Sequence, residues 1–257
     1  MSQRILTHLK KADAILGAVI EAHGPCNLTA QLDCEPFEAL ARAIAHQQLH
    51  ANAARNILQR FVGSCGEGLF PTPQRLLATP DAMLRAAGFS FAKIAALKDL
   101  AGKTVAGVIP DRQTLTGLDD ARIIERLTQV RGIGRWTVEM LLIFQLGRPD
   151  VLPVDDFGIR NGFRLAYGLR KMPLPKALAA YGERWAPHRT VAAWYLWRAN
   201  EMKRDGTLPA PLERIRLPRV AGVRRRVKRA GPRIKQARQR ARTAARLRKA
   251  SPPRARK

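Results

Sequence analysis

Two short runs in this sequence bring together residue types that could do chemistry. The first is Arg131-Gly132-Ile133-Gly134-Arg135, two glycines two residues apart among arginines. It lies between Ile123, Ile124, Leu127 and Val130 on one side and Trp136, Met140, Leu141 and Phe144 on the other, each set at helical spacing. Glycine reaches backbone angles closed to other residues. The run therefore predicts a tight turn joining two helices, with N–H groups facing outward at the start of the second, an arrangement suited to a phosphate. Ile133 would be the buried peg of that turn, and Arg131 or Arg135 would add charge. The second run is Asp155-Asp156, directly before Phe157-Gly158-Ile159. Either acid could cap a third helix, where a short acceptor side chain is favoured. Either could instead serve as a carboxylate for acid-base or electrostatic work. One residue can fill both roles.

These groups must be positioned by helices, because no stretch shows the alternation of a strand and apolar residues recur at helical spacing throughout. The expected fold class is all-α. Residues 1–22 read as one helix stopped by His23-Gly24-Pro25. An apolar stripe through Phe37, Leu40 and Ile44 runs into His46-Gln47-Gln48-Leu49-His50. Further helices are expected over residues 51–62, 73–77, 80–87 and 91–106, with a connector at 110–117. Leu118-Asp119-Asp120 should cap the helix that enters the hairpin. After Asp156 the helical pattern continues over residues 159–169, 175–185 and 189–203.

The charge is unevenly spread. Of 46 Lys and Arg residues, 19 lie in residues 214–257, which contain no acid, leaving 27 basic against 20 acidic residues before them. A mildly basic body with a polycationic end suits a polyphosphate partner. No apolar run approaches the roughly 20 residues of a spanning helix, and no signal-peptide core precedes Asp13. The expected setting is the cytoplasm, with the protein associated with a bacterial nucleoid. Cys26, Cys34 and Cys65 form neither a disulfide framework nor a zinc template. From residue 209 onward Arg, Ala and Pro dominate, so residues 209–257 are expected to form a disordered basic tail. That tail would raise nonspecific affinity for such a polyanion in a salt-dependent way and serve as a tether for searching it.

V-R-G-I-G-R-W-T followed by L-P-V-D-D-F-G-I-R resembles the helix-hairpin-helix glycosylase superfamily of base-excision repair, and most nearly the 3-methyladenine DNA glycosylase II family. F-E-A-L-A-R-A-I-A-H-Q-Q-L at Phe37, F-P-T-P-Q-R-L-L at Phe70, A-A-G-F-S-F-A-K-I-A-A-L at Ala86 and E-R-W-A-P-H-R-T-V-A-A-W-Y-L-W at Glu183 are similar to it as well. The resemblance implies two helical lobes with a central cleft, residues 36–148 forming one and residues 1–35 with 149–208 the other. It implies that Asp156 is the catalytic carboxylate. It places Trp136 and Trp197 in the pocket for a flipped base, with Phe157 and Tyr195 as further candidates. It assigns DNA contacts to Arg131, Gly132, Ile133, Gly134, Arg135 and Thr137, and the filling of the vacated stack to Gln47, Gln48 and Leu49, with Gln48 as wedge. Some members have an aromatic residue where this chain has Met140, which bears on the breadth of the pocket.

The implied activity is removal of alkylated bases, chiefly 3-methyladenine and 7-methylguanine, from double-stranded DNA by a monomer. Such a base carries positive charge and leaves without a general acid, so one ionised carboxylate suffices to stabilise the sugar cation and direct water. A cationic base also favours an aromatic pocket. Members that go on to cut the backbone have a lysine where this chain has Trp136, which implies a monofunctional enzyme. No cofactor is implied. The cysteines of an iron-sulfur branch are missing after Cys65. The resemblance does allow a monovalent cation on the carbonyls of Thr128, Val130 and Gly132. Two alternatives stand beside this reading: a glycosylase for oxidised or deaminated bases, and a noncatalytic helix-hairpin-helix protein that only binds DNA.

Overall fold

In the computed structural model, which describes residues 2–31, 34–212 and 215–218, helices follow one another without a strand among those residues. They are α1 (Gln3–Ala12), α2 (Ala14–His23), α3 (Pro36–His46), α4 (Ala51–Cys65), α5 (Pro73–Ala78), α6 (Asp81–Ala87) and α7 (Phe91–Val105). Next come α8 (Arg112–Thr116), α9 (Asp120–Leu127), α10 (Arg135–Phe144), α11 (Phe157–Ala166), α12 (Pro175–Gly182), a 3-10 turn at Glu183–Trp185, and α13 (Arg189–Arg204). The all-α expectation holds. Most of the basic tail expected over residues 209–257 lies outside the described residues.

The helices bury two apolar cores. α3 to α10 supply the first, with Leu40, Ile44, Phe61, Phe89, Leu100, Leu127, Ile133 and Leu142 at its heart. α1, α2 and α11 to α13 supply the second, around Leu16, Phe163, Tyr167, Trp185, Tyr195 and Leu196. Each fully buried side chain of this size contributes about 1.5–3 kcal/mol of transfer free energy. Leu28 and Trp197 pack against both cores. Ile215 and Leu217 also pack against the second core, so the packed chain continues past residue 208.

The expected single helix over residues 1–22 is broken at Asp13, whose φ of −154° is extended. Its carboxylate caps α2 through the N–H groups of Ile15 and Leu16 and, buried, accepts the Tyr167 hydroxyl at 2.6 Å and the Trp185 indole N–H at 2.9 Å. A charge that finds four donors only by ending one helix and starting another overrides the apolar periodicity that runs through it. The expected connector at 110–117 contains α8, capped by Asp111 on the Thr114 N–H.

Helices α11 and α13 lie in close contact because Gly162 carries no side chain; a Cβ there would collide with the Leu196 carbonyl oxygen. This approach sets the distance between the start of α11, where Asp156 stands, and the middle of α13, where Trp197 stands. No helix among the described residues is long and apolar enough to cross a membrane.

Candidate active site

The hairpin expected at residues 131–135 joins α9 to α10. Gly132 has φ of +78°, in the left-handed region that a side chain disfavours, whereas Gly134 is extended at φ −96° and ψ 169°. Only the first glycine is therefore demanded by backbone geometry. Ile133 is buried beneath the turn, as a peg should be. Gly134 stands at the N-cap of α10 with no side-chain cap, so the first-turn amides of α10 remain for an outside acceptor, at the positive end of the helix dipole. The Arg131 side chain is solvent-exposed, but its backbone N–H is committed to Asp99 Oδ2 at 2.7 Å. Arg135 is exposed and donates to Glu139 at 2.8 Å. Burial pushes the Glu139 carboxyl up from its ordinary value, and Arg135 opposes that shift. Thr137 is buried among the residues that line a cleft, so it offers DNA no exposed side chain.

The hairpin is braced from α7. Lys103 donates to the Gln129 carbonyl at 2.6 Å and to Asp99, and Asp99 in turn accepts the Arg131 N–H. Burial works against the charged Asp99 carboxyl, yet the Arg131 N–H and Lys103 hold it below its ordinary value. The spacing of Asp99 and Lys103 marks an i, i+4 pair in the sequence, but nothing in the sequence points it at the hairpin.

Asp156 caps α11, its Oδ1 accepting the Ile159 N–H at 2.7 Å. The same Oδ1 accepts the Trp197 indole N–H at 2.9 Å, and Oδ2 accepts the Trp136 indole N–H at 2.7 Å. An ionised carboxylate is an acceptor only, and all three partners are donors. The connection that leads to Asp156 is clamped to the start of α13. Arg189 grips Asp150 with two guanidinium nitrogens at 2.8 Å, and Thr190 Oγ1 donates to the Arg148 carbonyl and accepts the Val151 N–H. None of these clamping residues stood out in the sequence.

A cavity of about 570 Å³, a size suited to a small planar ligand, opens against Trp136; Asp156 is joined to it through that indole and does not itself line it. Its walls include Trp136, Thr137, Met140, Leu141 and Phe144 from α10, Leu40 and His46 from α3, and Gln47 and Gln48 from the turn after α3. Trp136 is 48% exposed and thus presents its ring to the opening while its N–H holds Asp156. Trp197 stands behind the wall rather than in it, its ring stacked on Phe144 at 5.8 Å and 25°. Two further expected pocket residues also fall outside the lining. Tyr195 is fully buried in the second core with its hydroxyl donating to the Gly24 carbonyl, because it lies on the opposite face of α13 from the cleft. Phe157, at the first position of α11, is 68% exposed and does not line the cavity.

The candidates for filling the stack also part company. Gln48 has φ of +56° and, like Leu49, is exposed at the tip of the turn between α3 and α4. Gln47 instead turns its amide inward and donates to the Gly132 carbonyl at 2.8 Å.

Residues 41–188 match a family described as HhH-GPD superfamily base excision DNA repair proteins. The chain belongs to this superfamily. A curated relative from Schizosaccharomyces pombe, DNA-3-methyladenine glycosylase 1, is 48% identical over 175 residues, 68% of this chain and 76% of the relative. The fission yeast 3-methyladenine DNA glycosylase solved in complex with abasic DNA superposes with a TM-score of 0.69 at 43% identity, covering 77% of this chain and 97% of that one. A DNA-3-methyladenine glycosidase from Bacillus halodurans gives 0.70 at 35% identity, covering 77% and 91%. Relatives from both a yeast and a bacterium give no support to the expected bacterial source.

For a superfamily hairpin that could hold a monovalent cation, the donor set here is three neutral carbonyls. That of Gly132 already accepts from Gln47 and that of Val130 from the Ile133 N–H at 3.0 Å. Each carbonyl of Thr128, Val130 and Gly132 keeps a second lone pair, the neutral oxygen donor that a monovalent cation takes. It would add positive charge where a phosphate is gripped. Among the described residues no cluster of three or more His, Cys, Asp or Glu could hold a metal.

Proposed function

We propose that this protein is a monofunctional DNA glycosylase that hydrolyses the N-glycosidic bond of alkylated bases, 3-methyladenine and 7-methylguanine foremost. The observation that carries the reading is the Asp156 carboxylate, held at both oxygens by indole N–H groups, one of them from a tryptophan that lines the adjacent cavity. The names of its relatives carry the same substrate class.

In this reading the open amides of α10 grip a backbone phosphate of duplex DNA. Gln48 and Leu49 take the space of the flipped nucleotide, which costs a few kcal/mol to unstack. The cationic base enters the cavity and lies against the Trp136 ring, gaining cation-π energy of about 0.5–2 kcal/mol. The bond between the base nitrogen and C1′ then breaks, its electron pair passing to the base and neutralising it. Positive charge moves to the sugar, where the ionised Asp156 stabilises it. Water adds to C1′ and gives its proton to the carboxylate. A neutral oxidised or deaminated base would need a proton donor as well, whereas the three hydrogen-bond partners of Asp156 all engage it as an acceptor.

Excision from methylated duplex DNA tests this. Wild type should release 3-methyladenine, and Asp156→Asn should release it about 10²–10³ times more slowly while binding DNA as well. Equal rates would remove Asp156 from the reaction, and DNA binding with no release by wild type would leave a noncatalytic binding protein. Because Trp136 takes the place of a nucleophilic amine, borohydride should trap no covalent DNA complex; a trapped complex would refute the monofunctional assignment.

A further inference from the structure

The turn after α3 and the hairpin after α9 are separated by 85 residues in sequence, yet one side chain joins them. Gln47 ends α3 as its C-cap, and its Nε2 donates to the carbonyl of Gly132 at 2.8 Å. Immediately after it, Gln48 enters the left-handed region at φ +56°, and His50 starts α4 with no side-chain cap. A strained non-glycine residue persists only where its surroundings hold it. The other tie on this corner comes from α7, where Lys93 donates to the Ala45 carbonyl at 2.7 Å. The same α7 carries Asp99 and Lys103, which fix the hairpin from its other side. Wedge turn, α7 and hairpin therefore form one closed circuit of hydrogen bonds, in which the amide of Gln47 is the direct link.

We infer that Gln47 is a positioning residue that holds the wedge turn in register with the hairpin, so that gripping the strand and everting the base occur as one movement; it does not itself enter the DNA. The geometry supports this over insertion. Gln47 is half-buried with its donor already engaged, whereas Gln48 and Leu49 at the tip are exposed. Gly132 is also the hairpin residue with positive φ, so a donor on its carbonyl fixes the peptide whose orientation matters most for the turn. The inference rests on the glycosylase reading for its biological meaning, but one of its tests does not need catalysis.

Gln47→Ala and Gln47→Leu are compared with wild type on two substrates, a methylated base paired in duplex DNA and the same base in a single strand, where little stacking must be broken. Leucine fills the volume of glutamine but cannot donate. Both variants should lose about five- to tenfold in single-turnover excision from the duplex, the size of one neutral hydrogen bond, and less than about twofold from the single strand. Leu at near wild-type rate would show that Gln47 acts by filling space, and equal losses on both substrates would show general damage; either overturns the inference. In parallel, 2-aminopurine beside an abasic site reports eversion and unstacking without any bond breaking. A fluorescence rise that is smaller in both variants supports the register role even if no base is released, and an unchanged rise refutes it. Absence of excision by wild type on both substrates would instead count against the glycosylase reading alone.

Discussion

The indole N–H of Trp136 lies 2.7 Å from Asp156 Oδ2, so the second helix of the hairpin reaches directly to the carboxylate at the start of α11. Grip and acid are thereby coupled through one side chain. Trp136→Phe keeps an aromatic face in the cavity but deletes this donor. A hydrogen bond to a charged group is worth about 1.5–3 kcal/mol, so single-turnover excision should fall roughly 10- to 100-fold while affinity for undamaged duplex stays within twofold. An unchanged rate would mean that Asp156 is held adequately by Trp197 and Ile159 alone.

Met140 lines the cavity one turn after Trp136, where a flexible thioether side chain leaves the wall adaptable. Met140→Trp should narrow the roughly 570 Å³ space. Release of bulkier adducts, such as ethenoadenine, should then decline at least about tenfold relative to 3-methyladenine, equivalent to about 1.4 kcal/mol of discrimination. Competition between the two lesions in one reaction measures the ratio directly. A ratio that does not change would remove Met140 from selectivity.

Much of this site could be read from the sequence, and the limits have physical reasons. The hairpin, its buried Ile133 and the capping role of Asp156 follow from local rules of glycine, apolar spacing and caps. Trp136 was placed by the family resemblance. Tyr195 did not, because one face of α13 meets the cleft and the other meets the second core, and the apolar residues on both faces look alike in sequence. Asp13 was hidden for the same reason in reverse: a polar residue within a helical pattern shows neither its burial nor its partners 154 and 172 residues away. The inward turn of Gln47 depends on a carbonyl 85 residues distant, a contact no spacing rule describes.

The Asp150–Arg189 pair gives a pH prediction. The Arg189 guanidinium holds the Asp150 carboxyl below its ordinary 3.8, and Arg189 is correspondingly raised. A carboxyl depressed in the folded state adds stability above the unfolded value and loses it as pH falls through the folded one. Asp150→Asn should therefore lower unfolding free energy by about 1–3 kcal/mol at pH 7, and the gap to wild type should close below about pH 4. Urea titrations of both proteins at pH 7 and pH 3 read this out. A gap of the same size at both values would mean that the pair's charge contributes nothing and only its shape matters.

Finally, the two cores differ in how their residues are spread along the chain. The first core is built from one continuous stretch, Phe37 to Val151. The second core needs residues 9–26 and 159–202 together, so the Asp13 carboxylate exchanges water for the Tyr167 hydroxyl and the Trp185 indole only when both segments are present. The last helix among the described residues is α13, which brings Trp197 to Asp156. In a chain made from its N-terminus, the hairpin residues therefore precede the helix that completes the hold on Asp156.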